Sequence, residues 1–110
     1  MDEGAPLRAT VRILPEALQQ VADADDWWRE HRADAPYLFA EEWDQALSLL
    51  EEQPEAGHLA PRGRLRNLRV LLLKETLRHV YYDFDAAAGE VLIRAVWGAV
   101  RGRPPPLRHR

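Results

Sequence analysis

Eleven bases crowd residues 58–110 of this 110-residue chain, and ten of them are arginine. They are Arg62, Arg64, Arg66, Arg69, Lys74, Arg78, Arg94 and Arg101, followed by Arg103, Arg108 and Arg110. A guanidinium is a planar fork of donors that grips carboxylates and phosphates at two points. The set therefore suits an anionic partner, either nucleic acid or an acidic protein segment. Arg78 and Arg94 stand inside otherwise apolar runs, where a charge is costly unless exposed or paired, and they are the strongest functional candidates. The plain alternative is a solvated sheet face paired with the chain's own acids, and composition leaves both open.

His79, Tyr81 and Tyr82 beside Arg78 raise a second chemistry, phosphodiester cleavage. There an imidazole would move the proton and a guanidinium would stabilise the charged transition state. Side chains alternate along a strand, however, so Arg78, Val80 and Tyr82 face one way and His79, Tyr81 and Asp83 the other. That separation favours a sheet histidine bonded to a neighbour. His31, His58 and His109 show no metal-ligand spacing, and the chain has no cysteine. Disulfides, thiolate zinc sites and cysteine nucleophiles are excluded; no metal and no cofactor is expected. No P-loop, dinucleotide fingerprint or nucleophile motif is present. Trp27, Trp28 and Trp43 read as helix-packing and edge residues, whereas Trp97, beside Gly98, suits either packing or stacking.

The formal charge of −3 conceals a polarised chain. Residues 1–57 carry fourteen acids against four bases, and residues 58–110 carry eleven bases against four acids. An apolar share of 46% with 30% charged residues is that of a globular fold. The acidic N-terminus lacks a signal-like apolar run, and no stretch is apolar enough to span a bilayer. No membrane association and a cytoplasmic location are expected.

These residues need elements to position them. Thr10–Leu14 alternates and is β-branched at Val11 and Ile13, as a short strand requires. Pro15 fits the first turn of a helix running to about Arg32, and Asp34-Ala35-Pro36 interrupts it. A second helix carries Phe39, Trp43, Ala46, Leu47 and Leu50 on one face and stops before Pro54 and Gly57. Leu65–Lys74, Leu77–Phe84 and Val91–Trp97 read as three strands of an antiparallel meander, the last one interior. The expectation is one α+β domain over residues 1–110, with a helix hairpin on one face of a four-stranded, mainly antiparallel sheet. Residues 1–9 form a leader expected to fray, and residues 101–110 a basic tail whose three prolines favour an extended form. The sheet face away from the helices is left for an exposed basic surface.

The segments VRILPEAL, EEWDQALSLLEEQPEAG, LRVLLLKETLRHVYYDFD and VLIRAVWGAVRGRPP resemble those of the RelE/ParE family of bacterial toxins, from Val11 to Pro106. The most specific pieces, RHVYY and VWGAVRGRPP, are similar to the ParE-like branch, although Gly98 stands where that branch often has histidine. The resemblance implies a toxin neutralised by a small ParD-like antitoxin in a hetero-oligomer, with DNA gyrase as the target, blocked by binding. The RelE branch implies instead a ribosome-dependent messenger endoribonuclease. Arg78 matches that branch's third-strand arginine, and Arg101 approximately matches the one after its last strand. The paired lysines of the second strand are missing, with only Lys74 near, and the net acidity does not suit a ribosome-directed protein. The ParE-like reading is therefore favoured, with an inactive or nucleic-acid-binding relative as a further alternative. Arg64, Arg66, Arg69, Arg78, Arg94, Trp97, Arg101 and Arg103 are the residues expected to meet antitoxin or target.

Overall fold

The computed structural model describes residues 8–98 together with Pro105 and Leu107. Strand β1 (Thr10–Ile13) leads into helix α1 (Pro15–His31) and helix α2 (Leu38–Glu52). Four strands follow: β2 (His58–Leu59), β3 (Leu68–Leu73), β4 (Arg78–Asp85) and β5 (Glu90–Gly98). The fold is α+β, a helix hairpin on one five-stranded mixed sheet, as the order of hydrophobic patterns predicts.

Pro15 opens α1 at a position where a missing N–H costs nothing, and Leu14 before it is extended at φ −65°, ψ 150°. Glu16 in the first turn and Arg29 and His31 in the last oppose the helix dipole. After the break at Asp34-Ala35-Pro36 the chain returns as α2, whose Phe39, Trp43, Ala46 and Leu50 form the buried stripe. They close on Ala17, Ala24 and Trp28 of α1 and on Leu73, Val80, Tyr82, Val91, Ile93 and Val96 of the sheet. Among the described residues, no helix is long and apolar enough to cross a membrane.

The strands lie in the order β1-β5-β4-β3-β2. β1 runs parallel to β5, with Thr10 opposite Glu90, and the remaining pairs are antiparallel. The expected sheet has four strands; the fifth is β2, whose two residues pair with Val70 and Arg69 at the far edge. A two-residue strand leaves no periodicity to detect, and a short edge offers little surface for unwanted pairing. β3 begins only at Leu68. Arg64 and Arg66 therefore do not share a strand face; they lie in the loop before it, tightened by a bridge between Arg62 and Leu65.

One irregularity redirects the last strand. Tyr81 pairs with Ala95 but Tyr82 pairs with Ile93, so Arg94 is an extra residue in β5. The bulge shifts the alternation, and Val91, Ile93 and Val96 reach the core while Arg94 and Ala95 do not join it. On the face away from the helices, Leu65 and Leu68 are buried outside the main core.

Both ends of the hairpin are fastened to the sheet. The Glu42 carboxylate accepts hydrogen bonds from the Glu75 amide (2.8 Å), the Thr76 amide (3.0 Å) and the Thr76 hydroxyl (2.7 Å). This ties α2 to the β3–β4 turn. At the other end the Tyr82 hydroxyl joins the Gly57 amide to the Pro54 carbonyl. Arg8 and Ala9, the last two residues of the expected leader, are held to the end of α2. The Ala9 amide donates to the Glu51 carbonyl at 2.9 Å, and Arg8 meets the Glu51 and Glu52 carboxylates at 3.3 and 3.2 Å.

Candidate functional site: two clefts flanking the sheet

The arginines predicted from the sequence separate into three environments. The first lies on the face away from the helices. Arg94, 7% exposed, pairs there with Asp83 across the strands. Arg64, Arg66 and Asn67 of the β2–β3 loop, with Asp85, complete a shallow cleft of about 380 Å3 around this pair. Arg64 and Arg66 are exposed. Alternation from Val91 and Ile93 turns Arg94 away from the core toward Asp83, and the extra residue at the bulge then returns Val96 to the core. On the same face Arg62 donates a 2.8 Å hydrogen bond to the carbonyl of Pro105, which is fully buried. Burial pushes the Tyr81 hydroxyl above the ordinary tyrosine value, and Arg62 draws it part of the way back.

Arg78 lies in the second environment, on the helix side. Its guanidinium sits 5.6 Å from the centre of the Phe39 ring and 6.0 Å from that of Trp27, and it donates to the Thr76 carbonyl at 3.0 Å. Arg78 is only partly buried, and these aromatic faces attract its cation while it still borders an open cleft. Trp97 joins Arg78 in lining a cleft of about 400 Å3 between α1 and the end of the β4–β5 pair, with Gln20, Asp23 and Trp27. The Gln20 side-chain oxygen accepts a 2.7 Å hydrogen bond from the Val96 amide and so fixes this cleft's floor. Trp27 is 43% exposed and stacks on His31. This pairing was missed in the sequence; the available signal was Trp27's place just off the stripe of Ala24 and Trp28.

Arg69 belongs to neither cleft. It donates to the Gly57 and Glu55 carbonyls at 2.8 and 3.2 Å and meets the Glu55 carboxylate at 3.5 Å. It holds the loop that enters β2. Arg101 and Arg103 lie outside the described residues.

The structure thus brings Arg64, Arg66 and Arg94 together, and separately Arg78 and Trp97. It does not gather the described arginines on one basic face. His79 packs edge-on against Tyr81 at 6.0 Å, on the side opposite Arg78, so the two do not form an acid–base and transition-state pair. Among the described residues no three His, Asp or Glu side chains stand close enough to share a metal ion. What the clefts offer is recognition: guanidinium groups for carboxylates, and the exposed Trp27 indole for an apolar side chain.

By sequence the chain matches no family model and no curated protein. By structure it superposes on the RelBE2 toxin–antitoxin complex of Mycobacterium tuberculosis with a TM-score of 0.61, covering 86% of this chain and 97% of that one at 18% identity. The chromosomal ParDE system of P. aeruginosa gives a TM-score of 0.64, covering 83% and 96% at 10% identity. This is the RelE/ParE fold. A free-state mutant of E. coli RelE superposes at 0.56, covering 86% and 87% at 16% identity. In this chain the hairpin carries the backbone from β1 at one edge of the sheet to β2 at the other.

Proposed function

We propose that this chain is the toxin of a type II toxin–antitoxin pair, of the ParE-like kind. It acts in the cytoplasm by binding and inhibiting DNA gyrase, and a small ParD-like antitoxin neutralises it in a hetero-oligomer. The observation that carries the toxin reading is the superposition on the RelBE2 complex and the ParDE system over 86% and 83% of the chain.

Inhibition by binding, in preference to RNA cleavage, is supported by the arginine environments. Arg78, the candidate for phosphate chemistry, packs on Phe39 and Trp27 beneath the helices, and His79 is turned the other way. Arg94 is engaged with Asp83. In this reading the antitoxin is an extended acidic and apolar segment. Arg64 and Arg66 pair with its carboxylates, while an apolar anchor enters the Arg78–Trp97 cleft. Arg69 and Arg94 hold the surface in shape, and Arg101 and Arg103 add charge from the tail.

The decisive experiment is a gyrase supercoiling assay with the purified chain. Loss of supercoiling, restored by the antitoxin, is the expected result; unchanged supercoiling at saturating protein sinks the gyrase reading. Cleavage of message on programmed ribosomes that falls in an Arg78→Ala variant would put a RelE-like nuclease in its place.

A further inference from the structure

The groove between the two helices takes no part in the function proposed above. Leu18 and Ala22 of α1 face Phe39 and Trp43 of α2 across it, around a space of about 280 Å3. Phe39 and Trp43 are buried, whereas Leu18 is 52% exposed at the mouth and Ala22 is exposed beside it. Asp25 and Asp44 stand at its rim. Farther out along the helices Asp26, Glu30 and Glu41 are exposed. Residues 15–53 hold eleven carboxylates against two arginines, and one of these, Arg29, is engaged by Asp25.

An apolar slot with Asp44 and the Arg29-paired Asp25 at its rim, on a hairpin that is acidic overall, selects its occupant. The slot requires aliphatic anchors, and the rim requires cations beside them at helical spacing. We propose that this groove docks an amphipathic helix of a partner protein that carries Leu, Ile or Met anchors flanked by Lys and Arg. A second copy of this chain is a poor occupant of the groove: two hairpins of this charge would repel on contact, and its described arginines of residues 62–94 lie on strands and a loop, not on a helix that could enter the slot. The acidic segment proposed for the arginine side is excluded by the same repulsion. The groove therefore serves a different contact, and the proposal stands whether or not gyrase is the target.

The test uses the full chain and two labelled peptides of the same amphipathic helical pattern, one of Leu and Lys and one of Leu and Glu, followed by fluorescence anisotropy. The Lys peptide is expected to bind one to one, weakening at least about tenfold between about 50 and about 500 mM salt. The Glu peptide is expected not to bind. Ala22→Arg fills the groove at an exposed helical position and should weaken the Lys peptide at least about tenfold. Ala86→Arg adds the same charge in the distant β4–β5 turn and should leave it nearly unchanged. Circular dichroism verifies that both variants are folded. Equal loss in the two variants would reduce the effect to general charge attraction and overturn the proposal. So would binding of the Glu peptide, or a dimer in solution that Leu18→Gln dissociates.

Discussion

The Gly57 amide donates a 2.8 Å hydrogen bond to the Tyr82 hydroxyl, and that hydroxyl donates another, also 2.8 Å, to the Pro54 carbonyl. One buried phenol thus fixes the path of the chain from the end of α2 into the edge strand. A Cβ at Gly57 would lie 2.8 Å from the Tyr82 oxygen and 2.9 Å from the Val70 carbonyl oxygen. Gly57→Ala is therefore expected to destabilise the fold by about 1–3 kcal/mol through overpacking. Tyr82→Phe, which leaves a buried amide without its acceptor, should cost a similar ~1–3 kcal/mol. Urea unfolding measures both, and the double variant should lose less than the sum, because the two changes share one contact.

The same tyrosine sets an alkaline limit. Burial raises the Tyr82 pKa, and the Gly57 hydrogen bond and Arg69 offset this only in part. A raised value means that the neutral phenol is favoured more in the folded state than in the unfolded one. Its stabilisation is fully present below the ordinary tyrosine value, about 10, and is lost as pH rises toward and through the folded value. Stability followed by urea unfolding should hold level from neutral pH to about 9 and then fall. Tyr82→Phe should reduce that fall without abolishing it, since burial raises Tyr81 as well.

Glu42 gathers three donors from the β3–β4 turn onto one carboxylate. Hydrogen bonds to a charged acceptor are the stronger kind. Glu42→Ala is expected to destabilise by about 2 kcal/mol or more. Glu42→Gln, which keeps one oxygen acceptor, should lose less. If both variants unfold at the wild-type urea midpoint, the clamp contributes nothing.

The Asp83–Arg94 pair is a test of whether a charge inside the sheet serves stability or recognition. The side chain of Arg94 is 5% exposed and that of Asp83 20% exposed. Removing one partner, as in Asp83→Leu, should destabilise by about 3–5 kcal/mol, because an arginine is then left buried without its carboxylate. Replacing both, as Asp83→Leu with Arg94→Met, should recover most of that loss. Recovered stability together with lost antitoxin binding would assign the pair to recognition.

Most of the layering was readable in the sequence because its signals are local. Pro15 marks the start of α1, and Phe39, Trp43, Ala46 and Leu50 recur at the helical period. The apolar runs within Leu65–Lys74 and Val91–Trp97 are long enough to stand out as strands, and β3 and β5 form there. The failures share a physical cause, which is that they depend on pairing across the chain. His58 and Leu59 are strand only because β3 lies beside them. The side on which Arg78 lies was right in alternation, but only the packed hairpin shows that its side carries Phe39 and Trp27. The bulge at Arg94 is invisible in an apolar run, since the slip exists only relative to β4. For the same reason, the basic surface expected from counting arginines resolves into separate clefts and a clamp.

The parallel pairing of β1 with β5 also governs how the protein is made. Thr10 and its partner Glu90 are separated by both helices and three more strands, so Glu90 is synthesised only after all of these. Val91 and Ile93 in β5 help to close the core beneath the hairpin. A nascent chain stopped at the β3–β4 turn therefore has an exposed hairpin and an edge strand with no neighbour. Such long-range closure is slow to form and cannot precede its last participant. The core beneath the hairpin therefore cannot close before β5 has been made, and until then the apolar undersides of α1 and α2 lack part of their cover.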